Sequence, residues 1–448
     1  MRKIISLLMR TVLLSLLFVM GLVVVSCDQK DNNPLIENNV EEKENQGEIE
    51  TADSVIVTQG NVVEHDFTRA DPAPLEVSLT EQEKVMFASG YQFATGMFNQ
   101  IAANTNTGNV CISPLSVQVM LGMLTNAVKD DVSQNILDKL FDSNITVDVM
   151  NSGFGKLRES LEATNCVKVP NAIWIQQGNM FNQDFIDIGS NIYQATVRNL
   201  NFRSDPQSAM DSVCQWAYDN SYGRLKSLDL DDFNCNTLMV LANLVWFASA
   251  WNMPFDTRTT NPGKFTLADG TVKNVDMMYE QEYMKYKFLD KYRVVSVPFK
   301  NNSFRMDFIV PADGYNLDEI IPDIDWSVSL QGGKKVSLTM PKFTVDYKAD
   351  FKSVLSDYGL SNLFEMGAFD KITKTQFDKM LYISQMKQNA QIKVEEGGVE
   401  AVAVTVASIE YRSGSTVSFS IDRPFVFAIR DNASGSFLFM GRVNDIIW

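Results

Sequence analysis

The side chains that most hydrolases use as a general base are almost missing from this chain. Its one histidine, His65, lies in an acidic stretch ahead of the first regular element. A serine or cysteine hydrolase needs an imidazole held by its fold, and zinc hydrolases need folded histidine ligands. Asp and Glu are plentiful, but their spacing singles out no pair, and no phosphate-binding glycine loop follows a strand. The sequence therefore predicts a protein that is not an enzyme and has no metal site and no cofactor.

The most unusual segment runs from Val399 to Arg412 and has the composition of a strand. Its many Val and Thr residues favour a sheet, whereas Gly397 and Gly398, which precede it, give the backbone freedom to change direction. If Glu400 and Glu410 face solvent, strand alternation turns a mostly small set of side chains toward the core. That set is Val399, Ala401, Ala403, Thr405, Ala407 and Ile409. Such a face can slide between strands without overpacking, and no proline blocks the ladder, but the residues alone also allow an ordinary buried strand.

The N-terminus has the layout of a secretory signal. Basic residues at positions 2, 3 and 10 precede an apolar run from Thr11 to Val25, which ends in Ser26 and Cys27. The segment Val24-Val25-Ser26-Cys27 resembles a bacterial lipobox, in which cleavage exposes a cysteine that carries a lipid; the alternative is an ordinary signal peptide with an incidental cysteine. We therefore predict that residues 1–26 are removed and that lipidated Cys27 is the only membrane attachment. The expected location is the outer membrane or cell surface, with the periplasmic face as the alternative.

In the rest of the chain, the excess of acidic residues is concentrated in one stretch. Between Asp28 and Glu76 there are 13 acidic and 3 basic residues, so this stretch carries minus 10 of the total charge of minus 16. Residues 27–78 are therefore predicted to form an acidic flexible tether, and residues 79–448 a single domain. That domain has no stripe of Lys and Arg with interleaved aromatic residues, so we expect a protein partner and no nucleic acid.

Four cysteines remain if Cys27 is acylated, namely Cys111, Cys166, Cys214 and Cys235. They include no CxxC pair and show no zinc-binding spacing. Disulfides and buried free thiols both remain open.

Hydrophobic periodicity predicts helices in the first half of the domain and strands in the second, which defines an α+β fold. The first helix, from Ser78 to Ile101, is opened by a capping box of Thr80 and Glu83. The other predicted helices lie around Val117–Phe141, Gly153–Ala163, Asn182–Tyr193 and Pro206–Tyr222. The predicted strands are Val169–Ile175, Asn236–Phe247, Arg293–Pro298, Phe304–Val310, Lys335–Thr344, Ala390–Val394, Val417–Ile421, Phe425–Arg430 and Phe437–Val443.

Five blocks of sequence, taken together and in order, resemble the serpin family over nearly all of Ser78–Ile446. They are Asn109–Ser116 (NVCISPLS); Asn243, Phe247, Trp251 and Phe255; Met340–Phe343 (MPKF) with Leu355, Gly359, Leu360 and Phe364; Glu395–Ala401 (EEGGVEA); and Arg423–Phe425 with Phe439–Val443.

The resemblance implies helices packed around a large, mainly antiparallel central sheet, with smaller sheets and an exposed reactive loop. It implies a shutter at Ser113 and Ser116, where Gln388 stands in place of the histidine of many relatives, and it places Asn243 and Trp251 at the top of the main sheet. It implies a loop hinge, whose residues are Glu396, Gly397, Gly398, Val399, Glu400, Ala401, Ala403 and Thr405. Two hinge positions depart from the usual pattern: Val399 replaces Thr or Ser, and Gly397 replaces a common charged residue.

The resemblance also implies a function. Serpins are single-use protease inhibitors: the protease cleaves the loop, stays attached as an acyl-enzyme, and is displaced as the loop inserts into the main sheet. Counting from Gly398, the reactive bond falls at Arg412-Ser413, with cleavage after Tyr411 as the alternative. An arginine there predicts an inhibitor of trypsin-like serine proteases, or of Arg-specific cysteine proteases. We expect the protein to be a monomer. The competing hypothesis is a non-inhibitory serpin-fold binding protein that is cleaved as a substrate.

Overall fold

The computed structural model describes residues 17–26, 73–105, 107–141, 144–221, 223, 225, 230–373, 380–399 and 416–448, with the backbone alone for 17–26. Within these residues no helix is long and apolar enough to cross a membrane.

The first half of the domain is mainly helical, as the periodicity predicts. Helix α1 (Glu81–Asn104) begins at Thr80, whose side chain accepts a hydrogen bond from the Glu83 backbone N–H while the Glu83 carboxylate accepts one from the Thr80 N–H. This confirms the predicted capping box. The remaining helices are α2 (Pro114–Thr125), α3 (Asp130–Leu140), α4 (Val147–Ala163), α5 (Gln183–Asn191), α6 (Pro206–Asn220), α7 (Leu317–Ile320) and α8 (Phe351–Leu355). Short helical turns cover Thr257–Thr259, Lys300–Asn302, Ile321–Asp323, Ser356–Leu360 and Ser361–Phe364.

The helical pattern around Val117–Phe141 belongs to two helices. Helix α2 ends at Thr125, with Asn126 as its C-cap, and the Lys129 N–H then donates to the carbonyl of Ala368, 2.9 Å away in a distant part of the chain. The local sequence continues the helical hydrophobic periodicity through this turn, but the tertiary hydrogen bond interrupts the helix there.

The main sheet has the order β5-β4-β6-β1-β16-β17-β8, with β15 also paired to β16. Its strands are β1 (Leu17–Ser26), β4 (Asn171–Gln176), β5 (Ala195–Leu200), β6 (Thr237–Leu244), β8 (Ser249–Ala250), β15 (Phe343–Asp350), β16 (Leu381–Glu395) and β17 (Gly398–Val399). Nearly all of these pairs are antiparallel. Helix α6 covers one face near β4 and β6, where Trp174 meets Trp216 edge to face.

Strand β1 fills the strand site between β6 and β16, which we call the slot. Because β1 is antiparallel to both neighbours, β6 and β16 run parallel to each other on either side of it. Strand β17 sits in the same row, between β16 and β8. The sequence predicts that residues 1–26 are removed on export, in which case the mature protein has no β1 in the slot.

Two further sheets complete the domain. The second has the order β11-β12-β13-β19-β20-β2 and the third β18-β14-β10-β9; strands β3 and β7 form a separate pair. Their strands are β2 (Val110–Ile112), β3 (Val167–Lys168), β7 (Trp246–Phe247), β9 (Asn261–Thr266), β10 (Val272–Tyr283), β11 (Lys285–Phe288), β12 (Tyr292–Pro298), β13 (Phe304–Pro311), β14 (Lys335–Pro341), β18 (Val417–Ser420), β19 (Phe425–Asp431) and β20 (Phe437–Val443). Strands β9 and β10 escaped prediction, because their side chains are largely exposed and lack an apolar alternation.

Candidate functional site

The end of β16 turns sharply into β17 through Glu396 and Gly397. Gly398 pairs with Glu395 on one side and Ala250 on the other, and Val399 pairs with Val394 and Ser249. Gly398 has φ +147°, and an added Cβ would lie 2.2 Å from the Ser249 carbonyl oxygen. Only glycine fits this turn, after which Gly398 and Val399 run antiparallel to β16.

Glu396 lies in a polar pocket beside this turn and is 7% exposed. Its Oε1 accepts a hydrogen bond from Thr260 Oγ1 at 2.8 Å and lies 3.1 Å from Lys342 Nζ. Burial alone would raise the pKa of Glu396, but its own backbone N–H, Thr260 and Lys342 together lower it. The carboxylate is therefore held ionised and fixed at the base of the loop.

Trp251 also stabilises this turn, through two hydrogen bonds. Its Nε1 donates to the Glu395 carbonyl and its backbone N–H to the Gly397 carbonyl, both at 3.0 Å. The indole stacks on Phe299 with ring centroids 4.6 Å apart, and it is 1% exposed. This residue, predicted at the top of the main sheet, contacts the hinge directly.

The last residue of the sequence, Trp448, also reaches this region. Lys342 Nζ lies 4.8 Å from its ring centroid and Lys393 Nζ 4.7 Å, which is cation–π distance. Lys393 also pairs with Glu395 at 2.9 Å. The two lysines thus connect Trp448 to the carboxylates of Glu395 and Glu396.

Ser113 and Gln388 meet below the middle of the main sheet. The Gln388 Oε1 accepts from the Ser113 N–H at 3.4 Å, and its Nε2 donates to the Ser113 carbonyl at 3.3 Å. Ser113 also caps α2 by accepting from the Ser116 N–H. The amide therefore ties β16 to the start of α2, and all three residues are buried. The Ser116 Oγ has no hydrogen-bond partner among the described residues.

Asn243 is buried near the end of β6. Its Nδ2 donates to Asn171 Oδ1 at 2.8 Å, and Asn171 Nδ2 donates in turn to the Tyr193 carbonyl at 2.8 Å. This chain of amides joins β6 and β4 to the segment after α5.

Several predicted site residues lie outside the described residues: Cys27, Glu400, Ala401, Ala403, Thr405, Arg412 and Ser413. The sequence did not single out Thr260, Asn171 or Phe299 as site residues, and it contains Lys342 only as part of the Met340–Phe343 block. No local sequence pattern identifies these residues, because each contacts a partner that is distant in the sequence and is brought close only by the tertiary fold.

The described part of the site consists of a strand end, a tight glycine turn and the short strand β17, which is paired into the main sheet. Among the described residues there is no cluster of three or more His, Cys, Asp or Glu side chains that could hold a metal ion. Cys111, Cys166, Cys214 and Cys235 are free thiols in the structure, and burial raises the pKa of the Cys111 thiol.

Comparison with known proteins identifies the class to which this fold and hinge belong. The family model described as serpin (serine protease inhibitor) matches residues 88–446, so the chain belongs to the serpin family. It is 29% identical to the glia-derived nexin of Homo sapiens over 362 residues, which cover 78% of this chain and 90% of the relative. It is 25% identical to the leukocyte elastase inhibitor of Equus caballus over 368 residues, covering 78% and 96%.

The fold agrees with a solved structure. A crystal structure of native protease nexin-1 with heparin superposes with a TM-score of 0.71 at 26% identity, covering 81% of this chain and all of that one. This confirms the predicted α+β serpin fold. Serpins are protease inhibitors and in general are not enzymes, so proteases are the class of partner that this family meets.

Proposed function

We propose that this protein is a suicide-substrate inhibitor that traps trypsin-like serine proteases. The target cleaves Arg412-Ser413, and the loop freed by cleavage inserts into the slot of the main sheet as a new strand. The main observation in support of this proposal is the direction of β17. Its last residue, Val399, already pairs with β16 and β8 and is fully buried. Because β17 runs antiparallel to β16, a strand that continued from Val399 would lie along the slot.

The length of the slot matches the loop. Continued one residue at a time from the Val394–Val399 pair, the ladder would bring residue 402 opposite Gln391, which faces Leu17 in the full chain. Further along, Leu381, the first residue of β16, would face Arg412, or Tyr411 if the loop repeats the bulge of β1. An inserted loop would therefore fill the slot up to the proposed cleavage site and carry an attached protease to the far end of the sheet.

The burial of β16 supports the predicted inward face. In the same register, Ala401, Ala403 and Thr405 would face Ile392, Ala390 and Gln388. These three partners are at most 2% exposed, whereas the residues between them are half-buried. Insertion would add ladder hydrogen bonds and bury apolar surface, which supplies the driving force.

Arginine at the cleavage site fits a protease whose specificity pocket ends in a carboxylate. In a desolvated pocket the planar guanidinium forms two charge-assisted hydrogen bonds with such a group. Tyr411 lacks that charge and would not select such a protease.

The test is incubation of residues 28–448 with trypsin, followed by denaturing electrophoresis and mass spectrometry. We expect a complex that survives denaturation and a released peptide that begins at Ser413. Arg412→Ala serves as the matched control and should lose the complex with trypsin. Clean cleavage with full trypsin activity would reject inhibition and favour the binding-protein alternative.

We also propose that the protein is a lipoprotein that acts at the outer membrane or cell surface, as its lipobox-like segment indicates. Mass spectrometry of the mature protein should find a lipid on Cys27, and Cys27→Ser should release the protein from the membrane fraction. A wild-type protein without lipid would refute this part.

A further inference from the structure

The last residues of the sequence, 444–448, form a tail that runs from the end of β20 to the main sheet. Near its start, the Asn444 N–H donates to Asn109 Oδ1 at 2.8 Å. Near its end, the Ile447 carbonyl accepts a hydrogen bond from the Thr344 N–H at 2.7 Å. The tail is therefore held at two points, and its final side chain follows directly after the second one.

The second point places the tail beside two lysines. Thr344 is the cross-strand partner of Lys393 in β16, and it lies two residues after Lys342 in the chain. Lys342 Nζ lies 4.8 Å from the ring centroid of Trp448, and Lys393 Nζ lies 4.7 Å from it. The backbone hydrogen bond at Thr344 thus brings the indole within cation–π distance of both ammonium groups.

The surroundings of the two lysines favour such contacts. The side chains of Lys342 and Lys393 are 16% and 12% exposed, whereas Trp448 is 54% exposed. A cation–π contact is stronger where the cation is shielded from water, and Trp is the strongest of the aromatic partners. The indole can therefore restrain both lysines, although it contributes little to the buried core itself.

Each lysine also pairs with a carboxylate at the hinge. Lys342 Nζ lies 3.1 Å from Glu396 Oε1, and Lys393 Nζ lies 2.9 Å from Glu395 Oε2. Holding a long lysine side chain in one geometry costs side-chain entropy, which weakens an ion pair. Because Trp448 restricts both lysines, it stabilises the two ion pairs at the same time.

The turn that follows these carboxylates must stay formed for the loop to insert. Gly398 pairs with Glu395, and Val399 pairs with Val394, so β17 depends on the last residues of β16. In the proposed mechanism the cleaved loop extends β17 along the slot, and an existing pair spares it the entropy of closing that turn. A turn that opened before cleavage would delay insertion and give the acyl-enzyme time to hydrolyse.

We infer that Trp448 is a positioning residue for loop insertion. Through Lys342 and Lys393, it keeps the turn between β16 and β17 closed until the protease has cleaved the loop. The inference rests on the proposed inhibitory function, but the closed turn belongs to the uncleaved protein and is measured there.

Hydrogen exchange with mass spectrometry reports the opening of the turn in uncleaved residues 28–448. In Trp448→Ala, the amides of residues 394–399 should exchange about tenfold faster, the scale of two lost cation–π contacts. The amides of β6 should exchange as in the wild type, since only a loss of global stability would affect both regions. Trp448→Phe keeps an aromatic face and should restore most of the protection.

Two further variants test the route through the lysines. In a Lys393→Met background, Trp448→Ala should change the exchange less, because one of its two contacts is already gone. Tyr283→Ala is the matched control: it removes a cation–π pair in the third sheet, where Lys335 Nζ lies 5.4 Å from the Tyr283 ring centroid. Exchange at residues 394–399 should then stay within about twofold of the wild type.

Trypsin gives a second readout. Trp448→Ala should consume severalfold more inhibitor molecules per trapped protease, because the delayed loop loses the competition with hydrolysis. The rate at which trypsin first cleaves the loop should stay that of the wild type, since the tail does not include the Arg412-Ser413 bond.

The two readouts separate this inference from the proposed function. Unchanged exchange at residues 394–399 in Trp448→Ala, or equally faster exchange in β6, would overturn the inference. Faster exchange confined to the turn, with rescue by Trp448→Phe, would support it. A wild type that does not trap trypsin would reject the proposed function, and the exchange result would still decide whether Trp448 holds the turn.

Discussion

Single residues in this protein hold ends of elements in place by charge, and Glu83 is the clearest case. It caps α1 and is 2% exposed, yet Lys156 Nζ lies 2.8 Å from both carboxylate oxygens and Ser152 Oγ 2.7 Å from one of them. Burial alone would raise its pKa, but the hydrogen bonds from Lys156, Ser152 and Thr80 lower it from 4.5 to about 2. The ionised form is thus strongly preferred in the folded state.

This shift predicts an acid-dependent loss of stability. A pKa lowered on folding gives stability that is fully present above pH 4.5 and is lost as the pH falls toward about 2. Glu83→Gln should therefore lower the free energy of unfolding by about 2 kcal/mol at pH 7. Denaturant unfolding of both proteins between pH 2 and pH 7 measures the difference, which should shrink below pH 4.5. A difference that does not vary with pH would show that the charge of Glu83 is not what stabilises the helix start.

Lys342 and Glu396 form the second residue-scale case, at the hinge. Lys342→Met would leave a buried carboxylate with Thr260 as its remaining side-chain donor, so the free energy of unfolding should fall by about 3 kcal/mol. Glu396→Gln keeps the hydrogen bonds without the charge and should cost less. Chemical unfolding of both single variants and the double variant gives the coupling, which we expect to be about 1 kcal/mol or more. Additive effects would mean that the observed ion pair contributes nothing to stability.

Among the elements, the loop segment after Val399 sets the strictest limit on side-chain size and charge. In the proposed mechanism one of its faces would enter the core. In the proposed register Ala403 would face Ala390, which is 2% exposed. Ala403→Arg should therefore stall insertion, since a buried unpaired charge is costly, and the protease would escape by hydrolysing the acyl-enzyme. The number of inhibitor molecules consumed per trapped trypsin should rise severalfold. The control Ala403→Ser keeps the side chain small and uncharged and should inhibit like the wild type; equal inhibition by the Arg variant would refute the assigned face.

The elements also show what the sequence could and could not predict. Helix α1 was predictable because its cap is local: Thr80 and Glu83 are three residues apart. The pair of Asn243 with Asn171 spans 72 residues, so no local pattern contains it. Strand β10 was missed for another reason, because its side chains alternate between exposed and half-buried over much of its length. Only the family resemblance linked Ser113 with Gln388, because it carries information about the whole fold, and the two residues are 275 positions apart in the sequence.

At the scale of the whole molecule, the proposed mechanism would make two segments nearly four hundred residues apart in sequence compete for one strand position. In the full chain, β1 pairs with β16 from Gln391 to Leu381, and the loop would use the same positions after cleavage. A sheet has room for one strand between two neighbours about 10 Å apart, so β1 and an inserted loop exclude each other.

This exclusion predicts that removal of residues 1–26 decides whether the molecule can trap a protease. The full chain, with β1 in the slot, should be cut by trypsin at the loop without forming a stable complex, whereas residues 28–448 should form one. Cleavage of 28–448 should also raise its melting temperature, because the inserted loop adds a central strand; cleavage of the full chain should leave its melting temperature nearly unchanged.

Gly21→Pro in the full chain removes a ladder N–H from β1 and should restore part of the trapping. Electrophoresis and thermal unfolding of the three proteins test this directly, and equal trapping by the full chain and by residues 28–448 would show that β1 does not hold the slot against the loop.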